Sequence, residues 1–183
     1  MDNKRLFVSL PVEEGLSREI FKKFGQLELP WEKIKAVPDK QLHLTLKFIG
    51  DTPLEKLPLF IEALEEIENA VKEIEIQIYQ SKIFNPQNPR VLALAVRENE
   101  NLNQLQKNIE EVFFDRGLSH YDAKKFTPHL TLARIKKKAS TEEFKNFSNW
   151  AIEKTFYANY FQLMESELNK KGSIYTELQS FNL

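Results

Sequence analysis

The sequence predicts a two-lobed α+β protein, and three observations predict it. The chain has 183 residues, 42% of them hydrophobic and 29% charged, which suits roughly one domain with a core that needs no staples. The order strand, helix, strand, helix, strand occurs twice, on either side of the loop Asn85-Pro86-Gln87-Asn88-Pro89. The spacing repeats as well: 38 residues separate Arg5 from His43, and 39 separate Arg90 from His129. We therefore expect one domain built by internal duplication, with halves near residues 1–84 and 90–183, each bringing a sheet and two helices.

Each element has a local reason. Leu6, Val8 and Leu10 alternate as in a strand, and Pro11 closes it. Leu16, Ile20, Phe24 and Leu27 recur at helical spacing, with Gly25 as the stop. Gln41 to Ile49 reads as a strand. Asp51-Thr52-Pro53 reads as a helix start, a capping side chain ahead of a first-turn proline, before the stripe Leu57, Phe60, Ile61, Leu64, Ile67 and Val71. Ile74, Ile76 and Ile78 alternate with Glu75 and Gln77, a half-buried strand. Two prolines in five residues make the central loop. Arg90 to Val96 is the next strand. The stripe Leu102, Leu105, Ile109, Val112 and Phe113 is a helix ended by Gly117. Pro128 to Ile135 is a strand. Ser140-x-x-Glu143 is a capping box before a helix carrying Phe144, Phe147 and Ala151. Thr155 to Glu165 and Ile174 to Ser180 read as the last strands.

Composition excludes much chemistry. There is no cysteine, so disulfides, thiolate metal sites and a Cys nucleophile are out. The five glycines lie far apart, whereas phosphate-cradling loops need two or three within a few residues. No apolar run has the length of a membrane span or the flanks of a signal peptide, and the expectation is a soluble, cytoplasmic monomer that does not meet a membrane. Lys and Arg total 26 against 27 Asp and Glu, so global charge announces no nucleic-acid binder. Charge is nonetheless uneven. Arg116 to Lys138 holds seven basic residues and one acid, while Glu62 to Glu75 holds six acids and one base. The basic run either guides a polyanion or is a solvated loop.

The chemistry concentrates in a repeated tetrad. His43-Leu44-Thr45-Leu46 matches His129-Leu130-Thr131-Leu132, 86 residues on, and uses two of three histidines in the chain. Strand alternation puts each His and Thr on one face and the leucines on the other. If the lobes pack sheet to sheet about a pseudo-two-fold axis, both His–Thr faces meet in one cleft. One neutral imidazole then takes a proton while the other, protonated, gives one. The threonine hydroxyls donate to phosphoryl oxygens, where charge concentrates. This suits in-line displacement at phosphorus and asks for no cofactor. Two histidines without a third ligand make a poor metal site.

With those tetrads in hand, the chain resembles the two-histidine phosphoesterase superfamily. More narrowly it is similar to the RNA 2′,3′-cyclic phosphodiesterases, also called the 2′-5′ RNA ligase family. The likeness runs through Arg5 to Leu10, His43-Leu44-Thr45-Leu46-Lys47-Phe48-Ile49-Gly50, Arg90 to Leu94 and Phe126 to Arg134. It closes on Ser166-Glu167-Leu168, Gly172 and Tyr175. The resemblance implies antiparallel sheets with outer helices facing across a cleft. It implies hydrolysis of a 2′,3′-cyclic phosphate end of RNA to a 2′-phosphate, with His43 as acid and His129 as base. It also implies a reverse joining of RNA ends through a 2′-5′ bond.

Other candidates flank the tetrads. Arg134 follows the second tetrad and suits bidentate phosphate binding, yet strict alternation from His129 puts Ala133, not Arg134, on the catalytic face. Either a bulge or the strand end turns it, or it is a solvated end residue. Lys47 lies on the His43 face and reads as a surface lysine. His120 reads as an exposed loop histidine. Phe7, Phe48 and Tyr175 offer a face for base stacking, although packing is the usual job of the fourteen phenylalanines. Two other functions compete: an RNA- or nucleotide-binding module with a relic site, and a hydrolase in which both histidines bind metal.

Overall fold

The computed structural model describes residues 3–169 and 172–183. The elements are β1 (Asn3–Pro11), α1 (Glu14–Phe24), β2 (Ile34–Ala36), β3 (His43–Pro53), α2 (Leu57–Glu65), β4 (Ile74–Phe84) and β5 (Val91–Val96). There follow α3 (Glu100–Asp115), β6 (His129–Ile135), α4 (Lys145–Ser148), β7 (Lys154–Ala158), β8 (Tyr160–Asn169) and β9 (Gly172–Asn182).

The α+β class and the antiparallel pairing are as expected, but the described strands form one hydrogen-bonded sheet, not two. Its order is β7-β4-β5-β6-β3-β1-β8-β9, with β2 on β6. The middle of this path is thin: β3 and β6 share one register pair, Leu44↔Leu130. On one side of that seam lie β3, β1, β8 and β9; on the other lie β6, β5, β4 and β7. A single residue, Asn159, separates β7 on one wing from β8 on the other. One residue spans at most ~3.6 Å, so the sheet must curl until the wings approach there.

The halves of the sequence are interleaved across the seam. β4 comes from the first half but pairs with β5 and β7; β8 comes from the second half but pairs with β1. The helices cross likewise. Phe24 of α1 meets Phe147 of α4 edge-on, with centroids 5.8 Å apart, and Phe60 of α2 meets Phe113 of α3 at 5.0 Å.

The core lies under the leucine face. Leu44, Leu130 and Leu132 are completely buried and Leu46 nearly so, together with Leu6, Val8 and Leu10 of β1 and Leu92 and Leu94 of β5. Phe60 and Leu64 of α2 and Ile109 and Phe113 of α3 join this cluster, so the helices' apolar stripes do what the periodicity required.

Some boundaries differ from expectation. Asp51-Thr52-Pro53 does not start a helix: β3 runs through it, because Arg5↔Asp51 and Lys4↔Thr52 extend the ladder with β1. The Thr52 hydroxyl donates to the Gly50 carbonyl instead of capping; a 3₁₀ turn, Leu54–Lys56, opens directly after Pro53 and runs into α2 at Leu57. The reach-back of the Ser140 box is present, with the Ser140 N–H donating to the Glu143 carboxylate at 2.8 Å. It opens only a short turn and α4, and Ala151 lies beyond the helix. The expected strand Thr155 to Glu165 is two strands broken at Asn159. The three-residue β2, too short for periodicity, was not expected.

Candidate active site

The site is built where β3 and β6 touch. The antiparallel register through Leu44↔Leu130 sets His43 across from Thr131, and Thr45 across from His129. The two tetrads thus cross: each imidazole neighbours the other tetrad's hydroxyl. The leucines between them point into the core, as alternation demands.

Both strands then break their alternation at the same place. Opposite β1, the register steps from Ser9↔Thr45 to Val8↔Lys47, leaving Leu46 as the extra residue of a bulge. Opposite β5, it steps from Ala93↔Thr131 to Leu92↔Ala133, leaving Leu132 as the extra residue. A bulge inserts one residue and re-aims the side chains beyond it. Leu46 and Lys47 are both buried, and so are Leu132 and Ala133. Phe48 and Arg134 are consequently the residues turned back to the cleft. This resolves the difficulty with Arg134: a bulge turns it.

Lys47 is corrected by the same device. It is not a surface lysine but 2% exposed, on the far side of β3 from His43. Its ammonium donates to both oxygens of the Glu110 carboxylate, at 3.0 and 2.8 Å, and to the His120 carbonyl at 3.0 Å. Burial of both partners makes this pair costly to break. The His120 ring is exposed, as expected.

Each histidine is held in the same way. The Nδ1–H of His43 donates to the Gln41 carbonyl and that of His129 to the Thr127 carbonyl, both at 2.7 Å. A carbonyl only accepts, so Nδ1 carries the proton and Nε2 is left for a ligand. The rings are walled by aromatics: Phe7 and Tyr175 lie 5.0 and 5.3 Å from His43, and Phe84 lies 4.6 Å from His129. Burial pushes the His43 imidazole below its ordinary pKa, against the lift from Gln41, and the nearby His129 and Arg134 add to the depression. Burial likewise lowers His129, against Thr127, with Lys82 and Arg134 adding their charge. Arg134 is therefore close enough to act on both rings.

His43, Thr45, Thr131 and Arg134 line a cleft of about 320 Å³. Phe48, 48% exposed, Tyr175 and Phe7 wall it on the β1 side, and the Arg5 guanidinium lies 4.8 Å from the Phe48 ring centre. The His129 ring is not part of that lining. Thr127 and Pro128 border a second cleft of about 410 Å³. Sequence reasoning missed this second cleft, whose Tyr79, Lys82 and Arg97 carry no motif. Of the basic run, Lys136 and Arg134 reach the first cleft, whereas Arg116 is paired with Glu62 and Glu66 of the acidic run. Among the described residues no cluster of three or more His, Asp or Glu has the makings of a metal site, and no helix is long and apolar enough to cross a membrane.

Known proteins share this architecture. A solved chain, TT0787 of Thermus thermophilus, superimposes with a TM-score of 0.78 at 28% identity, over 98% of this chain and 97% of its own. Escherichia coli LigT in its apo form gives 0.80 at 21% identity, over 100% and 99%. In sequence, the RNA 2′,3′-cyclic phosphodiesterase of Methanothermobacter thermautotrophicus is 27% identical over 98% of both chains. The protein of that name in Thermus thermophilus is 33% identical over 84% of this chain and 78% of its own. The sequence profile of the 2′-5′ RNA ligase superfamily matches residues 19–170, a span that contains both crossed tetrads, and the chain belongs to that superfamily.

Proposed function

We propose that this protein hydrolyses 2′,3′-cyclic phosphate ends of RNA to 2′-phosphomonoesters, using His43 and His129 as an acid–base pair. The observation that carries the reading is the crossed seam. Two imidazoles, each with Nδ1 tied to a backbone carbonyl, stand beside two hydroxyls across a single register pair. The relatives' names supply the substrate class.

In this reading the terminal nucleoside lies in the cleft walled by Phe48 and Tyr175, and its cyclic phosphate sits between the histidines. His129 Nε2 takes a proton from water as the water oxygen attacks phosphorus. The P–O3′ bond breaks in line, and His43 gives O3′ its proton. The P–O2′ bond survives, so the product is a 2′-phosphate. Thr45 and Thr131 donate to the non-bridging oxygens, and Arg134 supplies a fixed positive charge there. Fixed donors of this kind need no reorganisation as charge develops, which is why they favour the transition state over the ground state. The depressed pKa values keep a base neutral near pH 7. The incoming phosphate anion raises the affinity of the acid for its proton, as any close negative charge does. The same site run with an RNA hydroxyl in place of water joins ends through a 2′-5′ bond.

The test is to incubate the protein with an oligonucleotide ending in a 2′,3′-cyclic phosphate and identify the isomer formed. A 2′-phosphate is expected. A 3′-phosphate as main product means the substrate lies reversed. No turnover, with binding retained, favours the relic-site module.

A further inference from the structure

Thr45 and Thr131 hold matching places in the two tetrads, but their outer neighbours differ. On β5 the register partner of Thr131 is Ala93. On β1 the register partner of Thr45 is Ser9. β1 runs without a shift against β8 from Leu6 to Ser9, so its side chains alternate faces there. Leu6, Val8 and Leu10 belong to the core. Phe7 walls the catalytic cleft, and Ser9, two residues on, shares its face. The Ser9 hydroxyl is thus set beside Thr45. At 1% exposure, Ser9 itself is out of reach of anything bound in the cleft.

That hydroxyl is an orphan. Its oxygen is buried and has no hydrogen-bond partner among the described residues. Gln162 stands opposite it on β8, but the Gln162 Nε2 donates to the Glu177 carboxylate, whose other oxygen accepts from Ser180 Oγ at 2.6 Å. A buried hydroxyl left unpaired destabilises a fold, and native proteins rarely keep one without a use. Directly opposed residues of an antiparallel pair carry Cβ atoms about 4.5–5.5 Å apart, a span that Ser–Thr hydroxyl pairs bridge.

We propose that Ser9 is a positioning residue, whose O–H donates to Thr45 Oγ1 while Thr45 donates to the phosphate. This rests on the proposed phosphodiesterase chemistry and adds to it a residue outside both tetrads. A hydroxyl that donates forward keeps two lone pairs to accept from behind. Rotation about χ1 of Ser9 is the only motion required. The bond holds Thr45 in the staggered rotamer that faces the phosphate. It also polarises the Thr45 O–H, because hydrogen bonds in a chain strengthen one another. Thr131 has no such support, since Ala93 carries no polar side-chain atom. The two phosphate donors are therefore unequal, and Thr45 is the better held.

The experiment measures steady-state hydrolysis of an oligonucleotide ending in a 2′,3′-cyclic phosphate, together with thermal melting, for the full chain. Ser9→Ala is made alone, with Thr45→Val and with Thr131→Val. Alone, it should lower kcat about 5-fold, the upper end of what a cross-strand hydroxyl pair contributes, and change KM by less than about 2-fold. Its melting temperature should hold or rise, because alanine removes a hydroxyl that has no partner to lose. Added to Thr45→Val, it should cost less than about 2-fold more, because the group it acts through is already gone. Added to Thr131→Val, it should cost the full 5-fold or so again. An unchanged kcat in the single variant overturns the proposal. So does an equal loss in both threonine backgrounds, or a lowered melting temperature that accounts for the loss, either of which makes Ser9 a packing residue. In those cases hydrolysis by the wild-type protein leaves the phosphodiesterase reading standing. A wild-type protein inert on cyclic ends overturns both.

Discussion

Replacing Lys47 by Met removes one ammonium from the far side of the catalytic strand and leaves its partner behind. Glu110, 5% exposed, then keeps only Gln106 Nε2 at 3.2 Å and the Asp122 N–H at 3.3 Å. A buried carboxylate stripped of its cation costs about 3–5 kcal/mol, a large share of the ~5–15 kcal/mol that holds a domain folded. At ~2–4 °C per kcal/mol for a chain of this size, Lys47→Met should melt about 6–20 °C lower. Adding Glu110→Leu should recover most of that, because an apolar pair of similar volume no longer buries a lone charge. The assay is thermal melting of both singles and the double. A second readout is local: Lys47 also holds the His120 carbonyl and Asp122, 3.3 Å away. Trypsin should therefore cut at Lys124 and Lys125 faster in Lys47→Met at temperatures well below its melt. A loss under about 1 kcal/mol in the single, where exposed pairs fall, would refute the claim that this ion pair is buried and structural.

Other outcomes concern the site itself. His43→Ala and His129→Ala should each lower turnover by about 10²–10⁴-fold with little change in melting, since neither ring belongs to the leucine core; steady-state kinetics decides. Thr45→Val and Thr131→Val should each cost on the order of 10-fold or more in kcat, beyond any shift in melting temperature. Both imidazoles titrate below the ordinary 6.5, so kcat/KM should follow a bell displaced to the acid side of that value, with apparent constants belonging to the pair. The linked stability has the same sign. The folded chain resists protonation at these rings, so their contribution is whole above 6.5 and is lost as pH falls through the lowered values; melting against pH, compared with a His43→Gln/His129→Gln double variant, checks it. Exhaustive chelation should leave turnover unchanged, and loss restored by added metal would overturn the two-histidine mechanism.

The parts legible in the sequence were those that local chemistry dictates. Leucines at Leu44, Leu46, Leu130 and Leu132 had to face a core, so the placement of the His–Thr face came with them. Helix stripes such as Leu102, Leu105, Ile109 and Phe113 read correctly because burial repeats with the turn. The bulges did not show, since neither Leu46 nor Leu132 carries a glycine or any other local sign, and the strain of an extra residue is settled by the partner strand. That put Lys47 on the wrong face and left a bulge as only one of the alternatives for Arg134. Asp51-Thr52-Pro53 carried a true capping signal, but ladder bonds to β1 outcompeted it. The crossing of β4 and β8 between wings was illegible for a different reason: pairing between distant strands is not written in either strand alone. Tyr79 and Arg97 had no spacing to betray them and became a pair only through a bulge in β4.

The paired bulges at Leu46 and Leu132 also bear on the direction in which a substrate docks. Two identical tetrads, crossed about one register pair, would present a phosphate with the same surroundings from either side, and a substrate could dock forwards or backwards with equal ease. The backbone treats both strands alike, yet the side chain delivered on one is Phe48 and on the other Arg134. Phe48, with the Arg5 guanidinium 4.8 Å from its ring centre, and Arg134 give the two strands different side chains at the cleft. In the proposed reaction, the nucleoside sides with the ring and the charged oxygens with the Arg134 guanidinium. In that reaction the choice of leaving ester oxygen, and hence of product isomer, is predicted to depend on the residues two positions past Leu46 and Leu132 as well as on the histidines.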